Sequence, residues 1–180
     1  KEINYKCNFI RHEKNEGITK SLNEALRKCN GKYFTWISDD IWFPKRLEIL
    51  VNQLEQSKND EVLVCSNFIK INQNGLKDSS PYYKDNFVLP KDPLSGLLIK
   101  NDPFEIPIIC TPTVLVKNKV ICDLGYYDEQ LFCEDFDMWL RLLRNYKIVY
   151  NSKTLVYYRR SEDSVTNNSK YWVTIIKDTY

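Results

Sequence analysis

Two acidic clusters carry the side chains best suited to chemistry, Ser38-Asp39-Asp40 and Cys133-Glu134-Asp135. The first follows the apolar run Tyr33-Phe34-Thr35-Trp36-Ile37 and precedes Ile41-Trp42-Phe43-Pro44. The second opens an amphipathic stretch from Phe136 to Leu143. Open α/β sheets bind ligands outside the carboxyl ends of their strands, so acids at the exit of a buried strand stand where a ligand arrives. Adjacent carboxylates such as Asp39 and Asp40 can hold a hard divalent cation through oxygen, with a substrate's phosphates completing its shell. A cation so held neutralises charge on a departing diphosphate. A carboxylate of the second cluster, ionised near neutral pH, can accept a proton within hydrogen-bond reach. Together this is the equipment of metal-dependent group transfer. Residue types alone leave simpler readings open: a polar strand-to-helix turn for Asp39-Asp40, and dipole-complementing first-turn acids for Glu134, Asp135 and Asp137.

Composition limits what such acids can belong to. A chain of 180 residues, 43% hydrophobic and 28% charged, is long enough for one domain with a sizeable core. Twenty-six basic and 24 acidic residues leave a net charge of +2, so nothing draws the chain generally toward nucleic acid or an anionic surface. The six cysteines, Cys7, Cys29, Cys65, Cys110, Cys122 and Cys133, form no C-x-x-C pair and read as buried reduced thiols of a cytoplasmic protein. His12 is the only histidine, which leaves a His-rich zinc site or a Ser-His-Asp triad almost nothing to use. The start, Lys1-Glu2-Ile3-Asn4, is not a secretory signal, and no apolar run is long enough to span a bilayer.

The elements that must position the acids alternate in type. Residues 3–10 read as a strand, and Ile18, Leu22, Ala25, Leu26 and Cys29 share a helical face that stops at Asn30-Gly31. Residues 32–37 read as a continuous apolar strand of a doubly covered sheet. Pro44 then suits a first helical turn before the stripe Leu47, Leu50, Val51, Leu54. Residues 62–71 form the next strand, closed by Asn74-Gly75, and 76–92 are loop. Asp92-Pro93 starts a short helix to Lys100. Pro103, Pro107 and Pro112 keep the next stretch extended. A strand over 113–116, a helix over 117–124 closed by Gly125, a helix striped by Phe136, Trp139, Leu140 and Leu143, and strands near 147–150 and 154–158 complete the series. The β-α-β-α-β opening predicts a doubly wound, mostly parallel sheet sandwich of the α/β class. Most of the twelve Tyr and four Trp, Trp36 and Trp139 among them, read as packing, with Trp42 as a donor-side wall. Tyr157-Tyr158-Arg159-Arg160 reads as a strand end with a basic rim.

The string Gly31-Lys32-Tyr33, Ser38-Asp39-Asp40 and Pro44-Lys45-Arg46-Leu47-Glu48 resembles the middle of a GT-A family 2 glycosyltransferase. Asn15-Glu16-Gly17 with Ser21-Leu22-Asn23-Glu24-Ala25 resembles the family's N-x-G…S-x-N-x-A segment. Leu124-Gly125-Tyr126-Tyr127-Asp128-Glu129 and Glu134-Asp135-Phe136-Asp137-Met138-Trp139-Leu140-Arg141 resemble its G-x-x-D-E…E-D-x-D-L-W-L-R segment, and the blocks run in family order over roughly 11–160.

The resemblance implies a fold of the nucleotide-diphospho-sugar transferase type. It implies Asp39 near the donor's ribose, Asn15 and Gly17 on the same donor side, and Asp40 as ligand of Mg²⁺ or Mn²⁺. It implies Asp135 as the general base of an inverting transfer, with Glu134 and Asp137 in support. Nothing before Arg11 matches the family's opening strand and Pro-x-Tyr-Asn-like turn, so the first strands are expected to be missing from an N-terminally truncated catalytic domain. That domain is expected to divide into a donor half over about 1–75, an acceptor half over about 76–160 and a tail over 161–180. Its partners would be a nucleotide-sugar donor and a saccharide or lipid-linked saccharide acceptor, in bacterial polysaccharide assembly at the cytoplasmic face of the membrane. Two other classes stay open: a non-catalytic carbohydrate- or nucleotide-binding domain of that fold, and a nucleotidyltransferase, which normally needs a Gly- and basic-rich phosphate loop that this chain does not display.

Overall fold

The computed structural model describes residues 7–78, 80–99 and 108–160. Five helices and five strands are interspersed along them. The helices are α1 (Ile18–Lys28), α2 (Arg46–Gln56), α3 (Pro93–Ile99), α4 (Asn118–Asp123) and α5 (Glu134–Leu143). The strands are β1 (Tyr33–Phe34), β2 (Ile41–Trp42), β3 (Glu61–Asn72), β4 (Leu115–Lys117) and β5 (Lys147–Arg160), and a 3₁₀ turn covers Thr111–Thr113.

One sheet joins the strands in the order β1-β4-β3-β5-β2. Its spine is the parallel pair β3·β5, which runs from Glu61 opposite Lys147 to Asn72 opposite Arg160. β3 is apolar almost throughout because both of its faces are covered, as a central parallel strand requires. Leu63 and Cys65 point into the main core with Ile121, Met138, Trp139 and Leu142, whereas Val64 packs with Leu50 and Leu54 of α2. Helices therefore lie on both faces, as the α/β reading requires.

The flanking pairs depart from the mostly parallel sheet expected. β1·β4, β3·β4 and β2·β5 are antiparallel, so the sheet is mixed. The run over 32–37 explains part of this. Only Tyr33 and Phe34 enter the ladder, and Thr35 turns its hydroxyl onto the Val114 carbonyl at 2.6 Å. Residues 7–10 have no regular structure where a strand was expected, and 3–6 lie outside the described residues. The two strands expected near 147–150 and 154–158 are one strand with register shifts opposite Ser66–Phe68. Cys7 and Cys29 are exposed, contrary to a fully buried set; Cys65 and Cys110 are buried, and all six cysteines are free.

Local signals act as their chemistry dictates. Asp92 caps α3 by accepting the Leu94 and Ser95 backbone N–H groups at 3.1 and 3.2 Å. Gly75 adopts φ +79° in the turn after β3, and Gly125 adopts φ +87° where α4 ends. Asn23 of α1 is 1% exposed, and its amide clasps the Tyr127 backbone at both N–H (3.0 Å) and carbonyl (2.9 Å). It thereby joins two of the motif segments, α1 and the loop before α5.

The stripe of α2 departs from expectation at its first turn. Leu47 is 44% exposed, and Arg46 takes the inward position at 1% exposure. One Arg46 nitrogen donates to Thr35 Oγ1 (3.2 Å), the Pro112 carbonyl (3.1 Å) and the Val114 carbonyl (2.9 Å). The guanidinium lies 4.2 Å from the Trp42 ring centroid, a cation–π stack. Burial alone lowers its pKa from 12.5 to about 10, with no acid contributing. Arg46→Ala would open a cavity, take this donor from Thr35 Oγ1 and the Pro112 and Val114 carbonyls, and free the Trp42 ring. The expected loss is roughly 3–5 kcal/mol of unfolding free energy, read as a fall in Tm of about 10 °C; an unchanged Tm would refute the role given to this side chain.

Candidate active site

The first acidic cluster lies between β1 and β2, on a loop that β5 holds from behind. Asp40 is buried at 7% exposure. Its Oδ1 accepts the Arg159 backbone N–H at 2.9 Å, and its Oδ2 receives only the Ser38 hydroxyl at 3.4 Å. Burial raises the Asp40 pKa above the usual carboxylate value, and the adjacent Asp39 charge adds to that. Asp39 keeps a side chain that is 63% exposed, with Oδ1 3.0 Å from the Ser38 hydroxyl and Oδ2 4.0 Å from Arg159 Nε. The Arg159 guanidinium spends its donors on backbone carbonyls of Asp39 (2.9 Å), Asn72 (3.1 Å) and Gln73 (3.1 Å). The basic rim read from the sequence is thus, at Arg159, a clamp on the acid loop.

This arrangement suits a hard cation that brings most of its own shell. Oδ2 of Asp39 and Oδ2 of Asp40 are only lightly held, and two carboxylates with substrate phosphates match the ligand habit of Mg²⁺. Among the described residues there is no group of three or more His, Cys, Asp or Glu that would form an all-protein cage.

The second cluster starts α5. Asp135 is half-buried; its Oδ1 accepts the Phe136 N–H at 2.8 Å and its Oδ2 the Thr111 hydroxyl at 2.7 Å. Glu134 is 6% exposed, and burial followed by the Asp135 charge pushes its pKa up from 4.5 to about 7. Asp137 turns to the other side of the helix, where Oδ2 receives Arg141 at 2.6 Å while Arg141 also binds the Leu124 and Tyr126 carbonyls. Asp137 is therefore bound into a structural clasp that faces away from Asp135.

Asp40 and Asp135 come together around Cys110 and Tyr158. Cys110 is buried and Tyr158 half-buried; burial first, then for Tyr158 the Cys110 thiol, and then the charges of both acids raise the two groups above their ordinary pKa values. Cys110, Phe68 and Val156 form a small apolar cluster, against which Trp42 and Tyr158 pack. The other expected site residues have local partners. Asn15 Oδ1 accepts the Gly17 N–H at 2.9 Å, and Gly17 takes φ +88° at the N-cap of α1. Trp42 lies under Arg46. Thr111, Arg46 and Arg159 did not stand out in the sequence as site-builders. The one signal was Thr-Pro-Thr at the end of the Pro-rich stretch, of which 101–107 lie outside the described residues.

Residues 1–124 match the model of Glycosyl transferase family 2. The chain is 27% identical over 170 residues to an uncharacterized glycosyltransferase of Rickettsia typhi, covering 91% of this chain and 50% of that protein. It is 28% identical over 166 residues to the amylovoran biosynthesis glycosyltransferase AmsE of Erwinia amylovora, covering 89% and 56%. Among solved structures, Staphylococcus aureus TarS 1–349 superposes with a TM-score of 0.56 at 17% identity, covering 82% of this chain and 42% of that one. The chain belongs to glycosyl transferase family 2, and its fold is GT-A-like. It spans about half, or less, of the length of the curated relatives it matches.

Glu134 makes stability depend on pH. Its folded pKa of about 7 lies above its ordinary 4.5, so its favourable contribution is complete below pH 4.5 and is lost as pH rises through 7. The loss amounts to roughly 2–3 kcal/mol. Glu134→Gln cannot ionise, so its Tm should exceed that of the parent by several degrees at pH 8 and match it near pH 4.5. Equal Tm values at both pH values would rule out a buried, titrating Glu134.

Proposed function

We propose that this chain transfers a sugar from a nucleotide-diphosphate donor to an acceptor hydroxyl with inversion at the anomeric carbon. The supporting observation is the convergence of Asp40 and Asp135 on Cys110 and Tyr158, which puts a cation-holding acid and a proton acceptor at one site. Asp40 would hold Mg²⁺ or Mn²⁺ through its lightly bound Oδ2 atom. When bound, the cation would neutralise charge on the departing diphosphate.

The remaining work belongs to the protein's own groups. Asp135 accepts the proton of the acceptor hydroxyl as that oxygen bonds to the anomeric carbon. The bond from that carbon to the diphosphate oxygen breaks on the opposite face, and the electron pair leaves with the nucleoside diphosphate. Asp39, the more exposed acid of the pair, is free to meet the donor's ribose. Membership in the family supports a nucleotide-sugar donor and a saccharide acceptor. The likeness to AmsE, an amylovoran biosynthesis glycosyltransferase, supports polysaccharide assembly. In this reading the sugar moved is a hexose and the acceptor is a saccharide or lipid-linked saccharide. Among the described residues no helix is long and apolar enough to cross a membrane, which suits peripheral contact with a membrane-borne acceptor.

A thermal-shift panel of nucleoside diphosphates with and without Mn²⁺ tests the donor side. At one hundred times Kd a ligand adds about 2.7 kcal/mol, a rise of roughly 5–10 °C for a domain of this size. That rise should need Mn²⁺ and disappear in Asp40→Asn. Asp135→Asn should keep the rise and lose transfer by about 10²–10⁴-fold. Full transfer by Asp135→Asn would overturn the assigned base, and a metal-independent shift that persists in Asp40→Asn would overturn the assigned cation site.

A further inference from the structure

A base must be aimed as well as ionised, and Asp135 stands where its carboxylate has a competing use. It belongs to the first turn of α5, whose N–H groups attract acid side chains. The N-cap position is held by Cys133, not one of the usual oxygen-bearing caps. One Asp135 oxygen already takes the Phe136 N–H at 2.8 Å. Left alone, the carboxylate can turn both oxygens toward the helix terminus and away from an incoming hydroxyl.

Thr111 opposes that turn. Its hydroxyl donates to Asp135 Oδ2 at 2.7 Å, and its oxygen accepts the Trp139 indole N–H at 3.3 Å. An indole N–H can only donate, so the threonine oxygen is the acceptor in that contact and its proton is left for Asp135. Trp139 lies four residues after Asp135 on the same face of α5 and is 1% exposed; Thr111 is 7% exposed. The chain from indole to hydroxyl to carboxylate is thus anchored in the core at its far end. The 3₁₀ turn that carries Thr111 is itself fixed from the donor side, because Arg46 binds the Pro112 and Val114 carbonyls and Thr113 Oγ1 donates to the Cys110 carbonyl at 2.7 Å.

We propose that Thr111 is a positioning residue for Asp135, holding Oδ2 off the helix terminus and aiming the carboxylate at the acceptor hydroxyl. The proposal rests on the reading of Asp135 as the base. Thr111 exchanges no proton with substrate. It fixes the direction in which the base accepts one, and it links that direction to the turn that Arg46 secures.

The test compares Thr111→Val, which keeps the shape and loses the hydroxyl, with Thr111→Ser, which keeps the hydroxyl. Steady-state transfer and the Mn²⁺-dependent thermal shift with nucleoside diphosphate are measured for both, beside Asp135→Asn. Misaiming a reacting group by about 1 Å costs on the order of 10²-fold. Thr111→Val should therefore lose about 10–100-fold in kcat, with the donor KM and the thermal shift unchanged, and Thr111→Ser should recover most of the rate. Adding Thr111→Val to Asp135→Asn should cost nothing more, because the two act as one unit. A Thr111→Val enzyme with parental kcat, or a Thr111→Ser enzyme as slow as the valine variant, overturns the proposal while Asp135→Asn remains inactive. Full transfer by Asp135→Asn overturns the base reading and this proposal with it.

Discussion

A guanidinium buried without an acid beside it governs how this site is built. Arg46 opens α2 yet turns inward, touching Trp42 on β2 and Thr35 after β1 nearby in the chain and reaching the distant carbonyls on either side of Thr113. Removing such a charge from water is costly, and here only carbonyls, a hydroxyl and a ring face offset that cost. The same contacts stitch the loop bearing Asp39 and Asp40 to the turn bearing Thr111. One cation that touches neither acid thus ties together the segments that carry and contact them.

The acids differ in environment as their proposed tasks demand. Asp40 is tucked against a strand end and keeps one oxygen for further use, whereas Asp39 faces solvent. Asp135 is held by two donors at a helix start, and its neighbour Glu134 is buried deeply enough to hold a proton near neutral pH. One carboxyl of the second cluster is thus held in a fixed direction, as the proposed proton acceptor would need, and the other adds little charge beside it below pH 7. Apolar packing around Cys110, Phe68 and Val156 lowers the local dielectric, which strengthens every charge interaction nearby.

Much of this architecture was legible from periodicity and punctuation. The α5 face, the β3 run, the Asp92 cap and the Asn74-Gly75 turn each rest on interactions within a few residues, and they stand where pattern reading put them. The face read for α1 does not, because Ile18 is 54% exposed, Cys29 is exposed beyond the helix end, and Thr19 and Asn23 are buried beside Leu26 instead. The acid clusters were legible as candidates because strand exits and helix starts are local features. Readings failed where distant partners decided the outcome. Arg46 lies outside the apolar stripe read for α2, and its burial depends on the distant carbonyls of Pro112 and Val114 together with Thr35 and the Trp42 ring. The 32–37 strand shortened because Thr35 had a partner 79 residues away. Thr111 drew no notice because a threonine beside a proline signals a turn, and its bond to Asp135 exists only once α5 docks.

Arg159 carries a consequence for the order in which the molecule becomes competent. The amide that restrains Asp40 comes from a residue 119 positions later, and the arginine side chain simultaneously ties down the bend after β3. During synthesis the acid loop emerges early and stays unrestrained until nearly all of the sheet has left the ribosome. The geometry around Asp40 is thereby a property of the finished sheet, and a nascent chain that already displays both aspartates does not yet hold them in it.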